Sequence, residues 1–455
     1  MLSRRGLVVK QNSRLAKLFT IRTELEHSRT VIYSFKEAGQ YYVLPRIGGM
    51  IACSALGIPF NIYKPTMKKW PAESEQFYSL VKLLNNNQKT ILTYLLKNVY
   101  SPNNLLDGTS SCTLCMPPGY GKTYLALGLI SMFMRRTFIV VPNSILLKQW
   151  FNELTKFFSG IPADVRPSIG IYCGTKKETA DITVGIINSS LKYDFSSIDL
   201  VIFDEVHMYT SPKFHDIFFA AQAPLVLGLT ATPSSRLDGF DKIFNWHLGA
   251  TIECSTIPGW NPADVIFTTK VVKVSYKGPE EYTKCIYSET GELSFPLMVN
   301  QLVEDPTRNK LIADWALSLY QEGKNVFVFS DRREHLETIS KLLGVEVEFQ
   351  VDGELVSLMG GASEEQIGRA RGSGRIIMTT YKYSGTGLSI DKMNALILAT
   401  PRKSNLTQIV GRIYRLSGDA KIERVIIDIV DVNTPMKNQY RHRKQTYLSL
   451  NAVIT

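Results

Sequence analysis

The chain is poor in cysteine: six in 455 residues. Too few and too scattered for a disulfide framework, they point to a reducing compartment. Cys112 and Cys115 form a C-x-x-C, but no second cysteine pair stands by to complete a zinc site. Read as part of a strand, the two point to opposite faces, which argues for a structural, reduced role. No apolar run reaches the roughly 18 residues of a membrane-spanning helix. Low-complexity tracts and short repeats are also lacking, and so is acid in the first stretch, Met1–Arg22. That stretch is basic without the serine-rich, one-faced character of a transit peptide, and reads as mature protein able to touch phosphates.

What is present describes a globular chain. Hydrophobic residues make up 44% and charged residues 20%, enough for sizeable cores, and at roughly 150 residues per domain the length suggests two to three domains. Lys and Arg number 52 against 41 Asp and Glu, a net +11 that leans toward a polyanionic partner such as nucleic acid. From about Thr30 to Trp70 the alternation of Val31, Tyr33 and Phe35, then Tyr41 and Val43, predicts a small β-rich unit closed by Pro45 and Gly48-Gly49. Arg46, Lys64, Lys68 and Lys69 among Phe60, Tyr63 and Trp70 could grip a nucleic-acid backbone or simply form a solvated rim. Pro65–Glu75 reads as a linker, and Gln76–Tyr100 carries a helical period.

Beyond it, apolar strands alternate with amphipathic helices. The predicted strands are Thr113–Met116, Thr137–Val141, Ser168–Tyr172, Ile182–Ile187, Leu200–Phe203 and Leu225–Thr230, then Val326–Ser330, Val345–Gln350, Arg375–Thr379, Ala395–Ala399 and Arg424–Ile429. Such alternation implies an α/β fold of parallel sheets, with ligands at the carboxyl ends of the strands. The predicted layout is an accessory unit over 1–75, a first α/β domain over 76–265 and a second over 266–455. The charged, glycine-bearing stretch Gly360–Arg375 is left open as a strand separator or a connector.

Met116-Pro-Pro-Gly-Tyr-Gly-Lys-Thr123, between a strand and a helix, reads as a phosphate-binding loop. Gly119 and Gly121 let the backbone curl around an anion at the positive end of the helix. Lys122 would reach the terminal phosphates, and Thr123 would hold Mg²⁺ through its hydroxyl. Val201-Ile-Phe-Asp-Glu-Val-His207 ends a strand on two carboxylates: Asp204 to share the metal and Glu205 to orient and deprotonate water. Leu227-Gly-Leu-Thr-Ala-Thr-Pro233 ends another on small hydroxyl residues.

These three pieces in this order resemble the superfamily 2 helicases, and the resemblance runs from about Gln76 to the C-terminus. It implies two tandem RecA-like domains with ATP and Mg²⁺ bound between them. It also implies that Gln88 reads adenine, that Pro117, Pro118, Tyr120 and Gly387 line the nucleotide, and that His207, Thr230 and Thr232 couple hydrolysis to motion. Val140-Val-Pro-Asn143 with Gln149-Trp150 resembles the first nucleic-acid motif and Ile182–Ser189 the next, giving Pro142, Asn143, Asn188 and Ser189 as DNA contacts. Val326–Asp331 and Tyr383–Leu388 resemble motifs IV and V, adding Ser330, Thr380 and Ser384. Gln408-Ile-Val-Gly-Arg-Ile-Tyr-Arg415 resembles motif VI, so that Gln408, Arg412 and Arg415 would complete the catalytic set from the second domain.

Gln-x-x-Gly-Arg and Asp-Glu-Val-His differ from the DEAD-box pattern, while Ser384-Gly-Thr-Gly-Leu388, Gln149-Trp150 and the basic Tyr440-Arg-His-Arg-Lys444 resemble the DNA helicases of phages and large DNA viruses, including branch-migration helicases and the poxvirus transcript-release helicase of the XPB-like group. The resemblance implies a monomeric helicase or translocase acting on forked, branched or duplex DNA, without membrane attachment, inside a cell or in a host cytoplasm. Three alternatives stay open: a duplex translocase that releases transcripts without unwinding, an RNA helicase, and a non-catalytic DNA-binding scaffold.

Overall fold

Strands form where apolar residues run unbroken. Thr137–Val141 and Leu200–Asp204 are buried at every position, as a sheet covered on both faces demands. In the computed structural model the chain divides into two units, Met1–Asp264 and Val265–Thr455. The structure describes residues 2–3, 6–25, 28–62, 67, 74–231, 239–261, 268–346, 354–360, 362–384, 390–402, 406–414 and 422–455.

The first unit opens with strands β1 (Leu2–Ser3), β2 (Gly6–Lys10), β3 (Thr20–Leu25), β4 (Ser28–Tyr33), β5 (Lys36–Ala38) and β6 (Tyr41–Leu44). They make a four-stranded antiparallel sheet, β1-β2-β6-β5, and a separate β3-β4 hairpin. β-structure therefore begins at the start of the chain and not near Thr30: the basic stretch Met1–Arg22 supplies β1, β2 and the helix Ser13–Leu18, and Leu7, Val9, Leu15 and Phe19 enter a small core with Leu44 and Met50. Gly48-Gly49, expected to end this piece, instead lies inside the helix Arg46–Ala55. A Cβ on Gly48 would come within 3.0–3.1 Å of Trp246 and Phe19, so the glycine serves close packing and not a turn.

Arg46 is likewise reassigned. It is buried, and its guanidinium donates to the carbonyls of Gly108 (2.6 Å), Ala223 (2.6 Å) and Pro224 (3.3 Å). These carbonyls stand just before two sheet strands, so Arg46 fixes the N-terminal module to the amino-terminal edge of the sheet and is not available to a nucleic acid. Arg46→Met should lower stability by roughly 2–5 kcal/mol in denaturant unfolding, since it strands three carbonyls in the interior. Lys64, Lys68, Lys69, Tyr63 and Trp70 lie outside the described residues.

The main sheet of this unit comprises β7 (Ser111–Cys115), β8 (Thr137–Val141), β9 (Ile169–Cys173), β10 (Lys176–Lys177), β11 (Ile182–Ile186), β12 (Leu200–Asp204), β13 (Leu225–Thr230) and β14 (Thr251–Glu253). Its order is β10-β9-β11-β8-β12-β13-β7-β14, parallel except for the β9/β10 hairpin. The short edge strand β14 was not foreseen.

The second unit holds β15 (Thr269–Tyr276), β16 (Val326–Ser330), β17 (Leu355–Leu358), β18 (Ile376–Thr380), β19 (Ala395–Leu398), β20 (Arg424–Asp431) and β21 (Val453–Ile454), in the parallel order β17-β18-β16-β19-β20-β15-β21. The strand expected over Val345–Gln350 is corrected in part. Val345 and Glu346 end the helix Arg333–Glu346, the next four residues lie outside the described ones, and the strand beside β18 is β17. Gly360–Arg375 contains a helix, Glu364–Arg371, opened by a capping box between Ser363 and Gln366. Two buried ion pairs brace the unit: Arg308 with Asp431 (2.7 and 3.1 Å) and Arg443 with Asp428 (3.0 and 2.9 Å), the latter joined by the Tyr447 hydroxyl at 2.7 Å.

Candidate active site

Three neighbouring strands, β12, β13 and β7, bring their carboxyl ends side by side, with Asp204 in register with Leu229 and Thr230 with Cys115. At a strand spacing of ~4.8 Å, the backbone of Asp204 and the start of the phosphate loop stand about two spacings apart. The loop leaves β7 at Met116 and enters the helix Lys122–Phe133 through Gly121, which caps it in the left-handed region (φ 81°). Gly119 is also left-handed (φ 83°). Both conformations are inexpensive only for glycine. The positive end of the helix thus stands at the loop, where an anion is favoured.

The Lys122 ammonium donates to the Met116 carbonyl at 3.0 Å, spanning the loop it belongs to. Gln88 packs beneath. Its Nε2 donates to the carbonyls of Gly121 (3.1 Å) and Tyr120 (3.4 Å), and its Oε1 accepts from the Asn85 backbone at 2.9 Å as half of a capping box. A side chain at Gly121 would collide with that amide. The side chain expected to read adenine therefore supports the loop in this structure, and a base would compete for the same amide. Tyr120 stacks on Trp260, ring centroids 5.5 Å apart.

Asp204 is buried. Its Oδ2 accepts from the Trp150 indole Nε1 at 2.8 Å and its Oδ1 from the Glu205 backbone N–H at 3.1 Å. Burial first, and the Glu205 charge second, push its carboxyl up to about 6; the Trp150 hydrogen bond and Lys122 oppose this. Glu205 takes the left-handed region (φ 50°), a strained choice for a residue with a side chain. Its Oε2 is buried and makes no hydrogen bond, 3.5 Å from His207 Nδ1. His207 Nδ1 in turn meets Thr230 Oγ1 at 3.0 Å, which joins the ends of β12 and β13.

Two adjacent carboxylates, one desolvated and one with an orphaned oxygen, suit a divalent cation held by one or two protein oxygens plus substrate phosphates. Among the described residues no group of three or more His, Cys, Asp or Glu could hold a metal ion by itself. The raised Asp204 pKa has a stability consequence. The folded state binds the proton more tightly than the unfolded chain, so the penalty is absent below about pH 4 and grows as pH rises through about 6. Asp204→Asn should therefore stabilise the metal-free protein by roughly 1–3 kcal/mol at pH 7.5 and by nothing at pH 4, as read by thermal melts at both pH values.

The predicted nucleic-acid residues are placed unevenly. Pro142 and Asn143 follow β8, and the Asn143 side chain caps the helix Ser144–Phe157 by accepting from Ile145 and Leu146 N–H, each at 3.0 Å. Asn188 is exposed on the short helix Ile187–Ser190, where Ser189 Oγ accepts from the Gly174 backbone at 3.2 Å. In the second unit Ser330 is a correction: it is fully buried, its hydroxyl shared between His335 Nδ1 (2.9 Å) and the Arg332 backbone (3.0 Å), and so cannot reach a nucleic acid. Thr380 is nearly buried and accepts from the Tyr383 backbone at 3.2 Å. Gln408 is half-buried on the helix Leu406–Val410, and Arg412 is buried in the turn Gly411–Tyr414. Arg415, Thr232 and Gly387 lie outside the described residues, as does the side chain of Ser384.

Trp150 has a different place from the one its motif suggested. It is buried on the stripe Leu147, Trp150, Leu154 of its helix, and its one polar atom is spent on Asp204. The stripe was legible in the sequence; the partner was not.

A family model described as the res subunit of type III restriction enzymes matches residues 82–235. The chain is similar to a protein of African swine fever virus provisionally named an ATP-dependent RNA helicase, with 32% identity over 355 residues, 72% of this chain and 67% of that protein. Among solved structures, the helicase MrfA bound to DNA matches with a TM-score of 0.59 at 13% identity, over 86% of this chain and 53% of that one. Dbp5 of S. cerevisiae, bound to RNA and ADP BeF3, matches with a TM-score of 0.53 at 12% identity, over 83% and 95%. These two show the fold alone, that of tandem RecA-like units.

Proposed function

The chain belongs to the superfamily 2 helicases, ATP-dependent enzymes that act on nucleic acid, and from that premise we propose that it is a DNA motor, unwinding or branch-migrating forked or branched DNA. The observation that carries the enzymatic part is the alignment of the phosphate loop, Asp204-Glu205 and the His207–Thr230 pair on three adjacent strand ends. In this reading the helix start and Lys122 bind the ATP phosphates, while Thr123 and Asp204 hold Mg²⁺. The cation, when bound, neutralises charge on the β- and γ-phosphates. Glu205 orients and deprotonates the attacking water, with its carboxylate steadied by His207. Arg412 and Arg415 of the second unit would bring positive charge to the γ-phosphate, with the neutral Gln408 amide completing the set beside them.

DNA is favoured by Gln408-Ile-Val-Gly-Arg412 and Asp204-Glu-Val-His207, which differ from the DEAD-box RNA helicase pattern. Pro142, Asn143, Asn188, Ser189, Thr380 and Ser384 would track the backbone, so binding should weaken steeply with salt and show little sequence preference. RNA is the second reading, favoured by the name of the African swine fever virus relative. That relative is viral, which makes the cytoplasm of an infected host the proposed place of action. The N-terminal module, 1–75, is proposed as an accessory to the motor.

Steady-state ATPase with single-stranded DNA, duplex DNA, forked DNA and RNA as activators tests the proposal. Forked DNA should stimulate most. Equal or greater stimulation by RNA would overturn the fork reading, and preference for plain duplex would indicate a translocase that does not separate strands.

A further inference from the structure

Asp204 is tied twice to one continuous stretch of chain, Val140–Trp150, directly at its side chain and through Tyr209 at its backbone carbonyl. From the helix, the Trp150 indole donates to the carboxylate Oδ2 at 2.8 Å. From the strand, the buried Tyr209 hydroxyl lies 2.7 Å from the Asp204 carbonyl and 3.1 Å from the Val140 carbonyl, joining the end of β12 to the end of β8. Between these two attachments lies the turn Pro142-Asn143, half-buried at the surface, where Asn143 caps the helix that carries Trp150. Trp150 is seven residues into that helix, ~10 Å along its axis from the cap. The helix is pinned by Leu147, Trp150 and Leu154 in the core, so a push at its start is transmitted along a rigid body and not absorbed in a loop.

We propose that Trp150 is a positioning residue for the metal-holding carboxylate, and that it makes the affinity of Asp204 for a divalent cation depend on nucleic acid seated at the Pro142-Asn143 turn. The inference rests on the assignment of Asp204 to the metal and of that turn to nucleic acid. The indole is the side-chain donor that fixes the carboxylate plane. With the backbone of Asp204 also tied to β8 through Tyr209, the turn, the helix and the carboxylate move together. Nucleic acid drawn against the turn sets the indole and the indole sets Oδ2, while Oδ1, which accepts from the Glu205 backbone, keeps a second lone pair for the cation. Hydrolysis then awaits nucleic acid because the cation is poorly held without it.

The test uses the whole protein and measures binding, not turnover. Mn²⁺ is titrated by electron paramagnetic resonance in the presence of ADP, with and without a single-stranded oligothymidylate. The wild-type protein should bind Mn²⁺ more tightly when the oligonucleotide is present. Trp150→Phe keeps an aromatic ring and removes the donor; it should weaken Mn²⁺ binding roughly 10–100-fold, the usual cost of losing a partner of a metal ligand, and abolish the oligonucleotide effect. Tyr209→Phe removes a single hydroxyl and should lose the oligonucleotide effect while keeping basal Mn²⁺ affinity, which preserves the test if Trp150→Phe does not fold. Wild-type Mn²⁺ affinity in Trp150→Phe, an oligonucleotide effect surviving in both variants, or none in the wild type would each overturn the inference. Asp204→Asn separates the two levels: if it leaves Mn²⁺ binding intact, the assignment of the metal site itself fails; if it abolishes binding while Trp150→Phe does not weaken it, only the role of Trp150 fails.

Discussion

Lys122→Ala is expected to lower the ATPase rate at least ~10³-fold while nucleic acid still binds. A single neutral donor to a developing anion is worth roughly 10²–10³ in rate, and a full charge at the terminal phosphates exceeds that. The Lys122 ammonium contacts the Met116 carbonyl at the far side of its own loop, so the loop is braced by the same group that would bind phosphate. Gly121 and the helix start remain in the variant, so some nucleotide affinity should persist. Fluorescent-nucleotide titration, phosphate release and a gel-shift assay distinguish the cases. Near-normal phosphate release in the variant would refute the loop assignment outright.

Arg412→Ala is expected to lower kcat roughly 10³–10⁵-fold, the range for an arginine that neutralises charge in phosphoryl transfer. Nucleotide binding should change little, because the phosphate loop and the carboxylates belong to the first unit. Arg412 is buried within the second unit, and truncation alone could loosen the turn Gly411–Tyr414. Arg412→Lys addresses this by keeping the charge while losing the planar fork; it should retain the melting temperature and still lose most of the rate. A variant that melts normally and hydrolyses ATP at the wild-type rate would remove Arg412 from the catalytic set.

The parallel sheets were readable because their strands are buried on both faces and so appear as unbroken apolar runs: Thr137–Val141, Leu225–Thr230 and Val326–Ser330 have their predicted limits. Strands that failed to declare themselves lack that signature. In β15, Lys270 and Lys273 interrupt the run, and burial falls off along the strand. β14 and β17 have only three and four residues. The N-terminal helix Arg46–Ala55 was hidden by Gly48-Gly49, because glycine marks a turn in sequence but a close contact in three dimensions.

The chemistry of the site was local and therefore legible. A glycine-bearing loop before a helix can cradle phosphate whatever surrounds it, and two carboxylates at a strand end are adjacent by covalent connection. Which long-range partners those groups take is decided only when the strands assemble. Trp150 meets Asp204 across 54 positions, Arg46 meets Ala223 across 177, and Ser330 turns inward to His335 because its strand lies under a helix. Periodicity determines which face of an element is buried. Only the tertiary structure determines what waits on the other side, because a buried hydrogen bond needs both partners and the chain brings them from separate elements.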